Sequence, residues 1–232
     1  DAVFSGTSAI AKRFDNRWRG IEGDATNTSL PRSLPGAYID EARVPIGEFK
    51  VPPAEIRESL PQQMLMLQVV GEALDDAGVS RKALGERFGC IIGMSLDANA
   101  SNYHLRWAIP ELARGWADSL GLQLGDAEFD AWVKALQDEA SPPLTSGRVV
   151  GSLGGMVASR IAREFGIGGP SFTLSADDNS GLRALEIGAR MLERGELDGV
   201  IVGAVDLPCD VRRVLADRDI YADKMIVRPF DA

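Results

Sequence analysis

Apolar residues return along this chain with two different periods, and the alternation of those periods lays out its elements. From Ile56 to Ala77, the residues Leu60, Met64, Leu67, Val70 and Leu74 recur every three or four positions. That spacing predicts an amphipathic helix, with Gly78 as its stop. Phe88 to Met94 is instead a short unbroken apolar run, the pattern of a central strand covered on both faces. A long excursion follows at about 97–143, carrying Trp107, Trp116 and Trp132 on predicted helices before Ser141-Pro142-Pro143 breaks the pattern. A further helix is predicted from about Leu153 to Phe165, entered through Gly151-Ser152-Leu153-Gly154-Gly155 and ended by Gly166 and Gly168-Gly169-Pro170. Beyond it the pattern gives a strand and sharp turn, a helix over 182–194, a strand over 199–205, and a helix and loop from Val211 onward. Residues 1–35 mix Gly, Ser, Asn and Pro around Trp18 without an apolar period, which predicts a loop-rich segment. Strand and helix alternate over 36–232, implying an α/β fold with a mostly parallel, layered sheet and covering helices.

Composition narrows the class. With 232 residues and 45% hydrophobic residues, the chain can bury a sizeable core. A net charge of −9 and an isoelectric point near 4.8 argue against nucleic acid, whose phosphates call for clustered Lys and Arg. No run approaches the roughly eighteen apolar residues of a membrane span, and Asp1-Ala2-Val3-Phe4 is unlike a signal peptide. A cytoplasmic protein with no membrane partner is therefore expected. The two cysteines, Cys90 and Cys209, lie far apart without metal-ligand spacing, so no metal site and no disulfide are expected. Cys90, inside the apolar run Cys90-Ile91-Ile92, reads as inert core.

The segment from Gly169 to Leu182 carries the strongest chemical signal. Its sequence, Gly169-Pro170-Ser171-Phe172-Thr173-Leu174-Ser175-Ala176-Asp177-Asp178-Asn179-Ser180-Gly181-Leu182, reads as a strand, a sharp turn and a helix. Such an elbow can lift a nucleophile clear of its own backbone. Asp178 admits two readings there: a carboxylate poised at a helix N-terminus, where the dipole favours negative charge, or one of three N-cap candidates, Asp177, Asp178 and Asn179, with Ser180-Gly181 keeping the turn small. Capping is the simpler account. Adjacent turn residues point different ways, which weighs against Asp177 and Asp178 as an acid–base pair. The lone histidine, His104, in Asn102-Tyr103-His104-Leu105-Arg106-Trp107, fits a polar anchor or surface position. Gly151 to Gly155 could cradle a phosphate but lacks the strand and later acid of a dinucleotide fingerprint, so close backbone packing explains it better. P-loop, nucleophile-elbow serine hydrolase and zinc-protease motifs are absent from the sequence.

In its register the elbow resembles that of the β-ketoacyl synthase family, G-P-S-x-T-V-D-T-A-C-S-S-S-L, with Asp178 where the acyl-accepting cysteine stands. Other segments are similar to the same family in the same order. Leu60-Pro61-Gln62-Gln63-Met64-Leu65-Met66-Leu67-Gln68, followed by Ala73-Leu74-Asp75-Asp76-Ala77-Gly78, matches its D-P-Q-Q-R-L-L-L-E…A-L-E-D-A-G helix. Phe88 to Ser95 looks like its strand V-G-V-F-V-G. Leu192-Glu193-Arg194-Gly195-Glu196-Leu197-Asp198-Gly199 and the strand to Val205 look like its S-G-E-x-D-x-A-L-A-G-G-V turn and strand. Arg228-Pro229-Phe230-Asp231 looks like the R-P-F-D that ends its first half.

The resemblance covers Gly36 to Ala232 and implies the N-terminal half of a thiolase-like fold. It ends at the family's midpoint, and the opening strand I-A-I-V-G is not matched, so exposed sheet edges and apolar surface needing a partner segment are expected. A carboxylate cannot form the family's thioester. The resemblance therefore implies a chain-length factor or pseudo-ketosynthase with no catalytic residue of its own. It would pair with an active ketosynthase subunit or domain and bind no cofactor; acyl groups would arrive on phosphopantetheinyl acyl carrier protein. Family chain-length factors often carry glutamine at the elbow, from which Asp178 also departs. The segments Val51–Ile56, Pro61–Gln68 and Asn102–Trp107 look most like polyunsaturated fatty acid and iterative polyketide synthases. The family pairs the strand before the elbow across a dimer interface, which makes Phe172 and Leu174 interface candidates. Tyr103, His104, Leu105 and Trp107 are expected near that interface and the acyl tunnel. The family's two catalytic histidines lie in its second half, so His104 takes neither role. The alternative is an acyl-processing enzyme, decarboxylating or hydrolysing thioesters with the elbow carboxylate.

Overall fold

Pro61 divides the first predicted helix in two. Its ring disfavours helical backbone at the preceding residue, and Leu60 is accordingly extended at φ −60°, ψ 140°. The result is α1 (Pro53–Glu58) and α2 (Pro61–Asp76), the latter followed by Gly78 in the left-handed region at φ +65°. In this computed structural model the described residues are 5–8, 10, 36–39, 41–82, 84–95, 97–207, 210–214 and 216. Most of segment 1–35, Cys209 and the Arg228–Asp231 motif lie outside them. The chain divides into two units, 1–42 with 207–232, and 43–206. The sheet and its covering helices belong to the unit 43–206.

Three strands, β1 (Phe88–Met94), β2 (Ser171–Leu174) and β3 (Gly199–Val205), form a wholly parallel sheet in the order β2-β1-β3. The central position falls to β1, the most apolar run, and it is buried along nearly its whole length. Its side chains alternate between two covered faces. Cys90, Ile92 and Met94 join one core with Met64, Leu67 and Val70 of α2 and with Val157, Ile161 and Phe165 of α6 (Met156–Phe165). The other face receives α7 (Ser180–Glu193), which lies on β1 and β3. Helix α7 begins two residues before the predicted helix.

The excursion forms two helices, α3 (Asn102–Leu120) and α4 (Asp126–Ala140), packed on each other. Pro110 lies inside α3 and cannot donate to the carbonyl of Arg106; Gln137 of α4 donates to that carbonyl instead, at 3.1 Å. Helix α4 stops at Ala140, ahead of the two prolines.

The helix predicted from Leu153 proves to be two. Thr145 caps α5 (Ser146–Ser152), its hydroxyl accepting from the Arg148 N–H at 3.2 Å, and the chain turns at Leu153–Gly155 before α6. Gly151 therefore lies in the last turn of α5 rather than leading into α6. A Cβ there would sit 2.2 Å from the Glu58 carbonyl oxygen, and Leu60 donates to the Gly151 carbonyl at 3.0 Å. Close backbone approach is thus the reason for this glycine. Among the described residues no helix is long and apolar enough to cross a membrane.

Candidate functional site

The elbow begins where β2 ends. Asp177 has φ +47°, the sole non-glycine with positive φ among the described residues, a conformation that aspartate tolerates better than most. Ser180 fastens the turn. Its hydroxyl accepts from the Ala176 N–H at 2.9 Å and donates to the Asp177 carbonyl at 2.6 Å, while the Asn179 N–H donates to the Ala176 carbonyl at 3.0 Å. The N-cap position of α7 falls on Asn179, whose side chain makes no capping hydrogen bond. Asp177, Asp178 and Asn179 are exposed, whereas Ser180 is buried.

Gly93 seats the elbow. A Cβ at this position of β1 would lie 2.5 Å from the carbonyl carbon of Ser180 and 2.6 Å from its oxygen. Only glycine lets the first turn of α7 come down on the strand at this distance. The family-like spacing of the β1 motif shows a glycine here; the helix pressed against it is visible only in the fold.

Beside the elbow is a cleft of about 270 Å³, at the carboxyl ends of β1 and β2 and the N-terminal ends of α2 and α6. Parallel α/β sheets commonly bind ligands at the carboxyl ends of their strands. Leu60, Met94, Ala100 and Leu174 are apolar residues of its wall, and Asp97 and Thr173 are polar positions in it. Asp97 is buried and accepts a hydrogen bond from Gln62 Nε2. Thr173 Oγ1 is buried with no hydrogen-bond partner among the described residues. None of Asp97, Gln62 and Thr173 is singled out by the sequence, because no spacing relates them; a pair of polar residues, Gln62-Gln63, on an otherwise apolar helix face was the available signal.

Gln63 leads to a second polar group. Arg160, on α6 and 8% exposed, donates from Nε to Gln63 Oε1 at 2.6 Å, from Nη1 to Glu55 at 2.8 Å and from Nη2 to Ser59 at 3.3 Å. Gln63 in turn donates to the Gly151 carbonyl at 2.7 Å. The network ties α1, α2, α5 and α6 together.

The excursion residues fall at a neighbouring place. Tyr103 borders a second cleft of about 320 Å³, and both clefts share Leu60, Ala100 and Ser152 as walls. Tyr103, His104 and Trp107 form one aromatic group, with ring centroids 4.1 Å apart for Tyr103–His104 and 5.4 Å, edge-on, for Tyr103–Trp107. Trp107 is 62% exposed and Leu105 46%. Leu174 lines the elbow cleft; Phe172 is exposed on the outer strand β2. Cys90 is wholly buried, and burial pushes its thiol up to about 12, the behaviour of a core residue.

Comparison with known proteins agrees with this geometry. The profile of the β-ketoacyl synthase N-terminal domain matches residues 1–219. A polyunsaturated fatty acid synthase subunit of Thraustochytrium sp. is 29% identical over 209 residues, 89% of this chain and 10% of that protein. A highly reducing polyketide synthase of Nectria sp. is 29% identical over 177 residues, 74% of this chain and 6% of that protein. The chain thus spans a tenth or less of these relatives. Among solved structures, a PfaC keto synthase–chain length factor superposes with a TM-score of 0.76 at 22% identity, covering 95% of this chain and 23% of the other. The ishigamide ketosynthase/chain length factor gives 0.51 at 19% identity, covering 88% and 46%. With its parallel sheet, its strand-to-helix elbow and a profile match over nearly its full length, this chain belongs to the β-ketoacyl synthase family, as an N-terminal domain.

Proposed function

We propose that this chain is part of a chain-length factor of a polyunsaturated fatty acid or polyketide synthase, a ketosynthase-like subunit that pairs with an active ketosynthase and does not itself carry the acyl group. What supports this reading is the elbow motif, whose resemblance to the family's puts the carboxylate of Asp178 where the cysteine is expected. Acyl transfer through this family's intermediate needs a thiolate that forms a thioester and later releases it; a carboxylate would give a mixed anhydride open to water. The cysteine within the described residues, Cys90, is sealed in the core and protonated at neutral pH. Support also comes from solved neighbours described as ketosynthase–chain length factor proteins and from a relative that belongs to a polyunsaturated fatty acid synthase.

In this reading the acyl chain is presented to the partner on phosphopantetheinyl acyl carrier protein. The outer strand β2, with exposed Phe172, lies toward the partner, and Tyr103, His104, Leu105 and Trp107 border the shared tunnel or interface. The elbow carboxylate acting on acyl thioesters is the competing reading. Analytical ultracentrifugation of the complete subunit with the ketosynthase of the same synthase tests the pairing. A one-to-one complex is expected; a subunit that stays strictly monomeric beside that ketosynthase at micromolar concentration contradicts it.

A further inference from the structure

The free end of the α3–α4 hairpin brings two kinds of exposed side chain into one short stretch. Trp116 and Leu120 at the end of α3, and Leu122 and Leu124 in the connecting loop, all face solvent, Leu120 with 66% of its surface. Leu112, one turn before Trp116, is exposed as well, so an apolar row at four-residue spacing runs along α3 to its last residue. The same stretch, Gly115 to Asp130, holds Asp118, Asp126, Glu128 and Asp130 and contains no lysine or arginine. All these carboxylates are exposed. The ion pairs of the hairpin, Arg106–Asp138 and Lys134–Asp138, lie toward its other end. Arg114, one turn before Asp118, places its guanidinium over the Phe129 ring at 5.4 Å. Covering the apolar row removes it from water, which favours association. The negative charge around it decides with what.

Resting on the reading of this chain as part of a synthase, we infer that the free end of the hairpin docks onto an amphipathic helix elsewhere in that synthase, one whose apolar stripe is flanked by lysine and arginine. A second copy of this chain would bring the same carboxylates and be repelled, and so would an anionic lipid surface. A basic helix is attracted. The four-residue row on α3 is a ridge of the kind that packs into the groove of another helix. Trp116 and Leu120 supply the holding contact, while the carboxylates set the choice of partner and the speed of encounter. This surface is distinct from the one placed toward the ketosynthase, since the 19 residues of α3 set Leu120 about 28 Å from Asn102 and the aromatic group beside it.

Photo-crosslinking within the intact synthase tests this, with benzoylphenylalanine in place of Leu122 and the adduct located by mass spectrometry. One dominant adduct is expected, on a helical segment of another synthase domain that carries lysine or arginine beside its apolar residues. Its yield should fall about fivefold between roughly 0.05 M and 0.5 M salt, because screening weakens attraction between exposed charges. Asp118→Lys combined with Asp130→Lys, exchanges at exposed positions that leave the fold intact, should lower the yield about as much, and Leu120→Ser should lower it as well. The absence of a dominant adduct would overturn the inference, as would an adduct on an acidic segment, on a second copy of this chain or on lipid. A yield indifferent to both salt and charge reversal would do the same. Ultracentrifugation of the same subunit with the ketosynthase separates the inference from the reading on which it rests. A subunit that pairs but gives no such adduct sinks the inference alone, whereas one that gives the adduct without pairing sinks only the chain-length-factor reading.

Discussion

The parallel sheet and the α3–α4 hairpin are both built from apolar residues, but they use them in opposite ways. In the sheet region Cys90, Ile91 and Ile92 are wholly buried, and glycines allow backbone to meet backbone: Gly93 against Ser180, and Gly169 against the Phe88 carbonyl, where a Cβ would stand 2.4 Å away. In the hairpin the buried residues are fewer and smaller, Ile109, Ala113 and Ala117 on α3, while Leu105, Leu112, Trp116 and Leu120 remain exposed beside them. The sheet's apolar surface is spent on holding one geometry. The hairpin presents large side chains to whatever adjoins it, and exposed apolar patches of that kind commonly mark interaction sites.

The largest effect that should separate the two regions comes from Gly93→Ala. Its new Cβ meets the first turn of α7 and not a movable side-chain tip, so a loss of about 3 kcal/mol is expected in chemical denaturation. A variant within about 0.5 kcal/mol of wild type would show that the elbow is not seated on β1 as described. In the hairpin, Trp107→Ala and Leu105→Ala should change stability by only about 0.5 kcal/mol, as exposed positions do. Their effect is expected in the synthase, as altered product chain length or weakened pairing. Folded, paired variants with an unchanged product distribution would reduce the hairpin to a local cover.

The smallest effect concerns charge. Hydrogen bonds from Lys134 and Arg106 hold the Asp138 carboxyl in the hairpin below the usual carboxylate range, and the Arg87 guanidinium does the same for Asp198 at the start of the sheet. A depressed folded-state pKa stabilises above the unfolded value of about 3.9 and ceases to do so as pH falls through the lower folded value. Stability should therefore decline below about pH 4 in both regions, and Asp138→Asn should flatten only the part due to the hairpin. Both groups are exposed, so salt should weaken both effects. Identical acid titration curves for wild type and Asp138→Asn would remove the ion pairs from the account.

What the sequence revealed differs between the same two regions. Phe88–Met94 and Gly199–Val205 were legible to the residue because an unbroken apolar run of that length fits little besides a strand inside a covered sheet. The Ser141-Pro142-Pro143 stop of α4 was equally plain. Helix α5 was missed, since its seven residues include Gly147 and Gly151 and carry no apolar period. The break at Pro61 is hidden in the sequence because Leu60 continues the helical spacing across it. The elbow is legible through its family-like motif, yet its fastening by Ser180 is not, because the capping propensity of Asp177, Asp178 and Asn179 points to a helix cap that Asn179, at the N-cap, does not make. That Asp97 and Thr173 line one cleft depends on strand register and helix placement, which no local pattern carries.

The central claim is that the elbow at Asp178 performs no chemistry of its own, and turnover of the intact synthase carrying Asp178→Asn tests it most directly. Asparagine keeps the shape of the side chain while removing its charge and its capacity as base or nucleophile. The expected result is product formation within about twofold of wild type, because Asp178 is exposed and lies outside the N-cap position of α7. A folded variant, still paired with its ketosynthase, whose turnover falls by about 10²-fold or more would show the loss of an acid–base or nucleophilic group and would contradict the account.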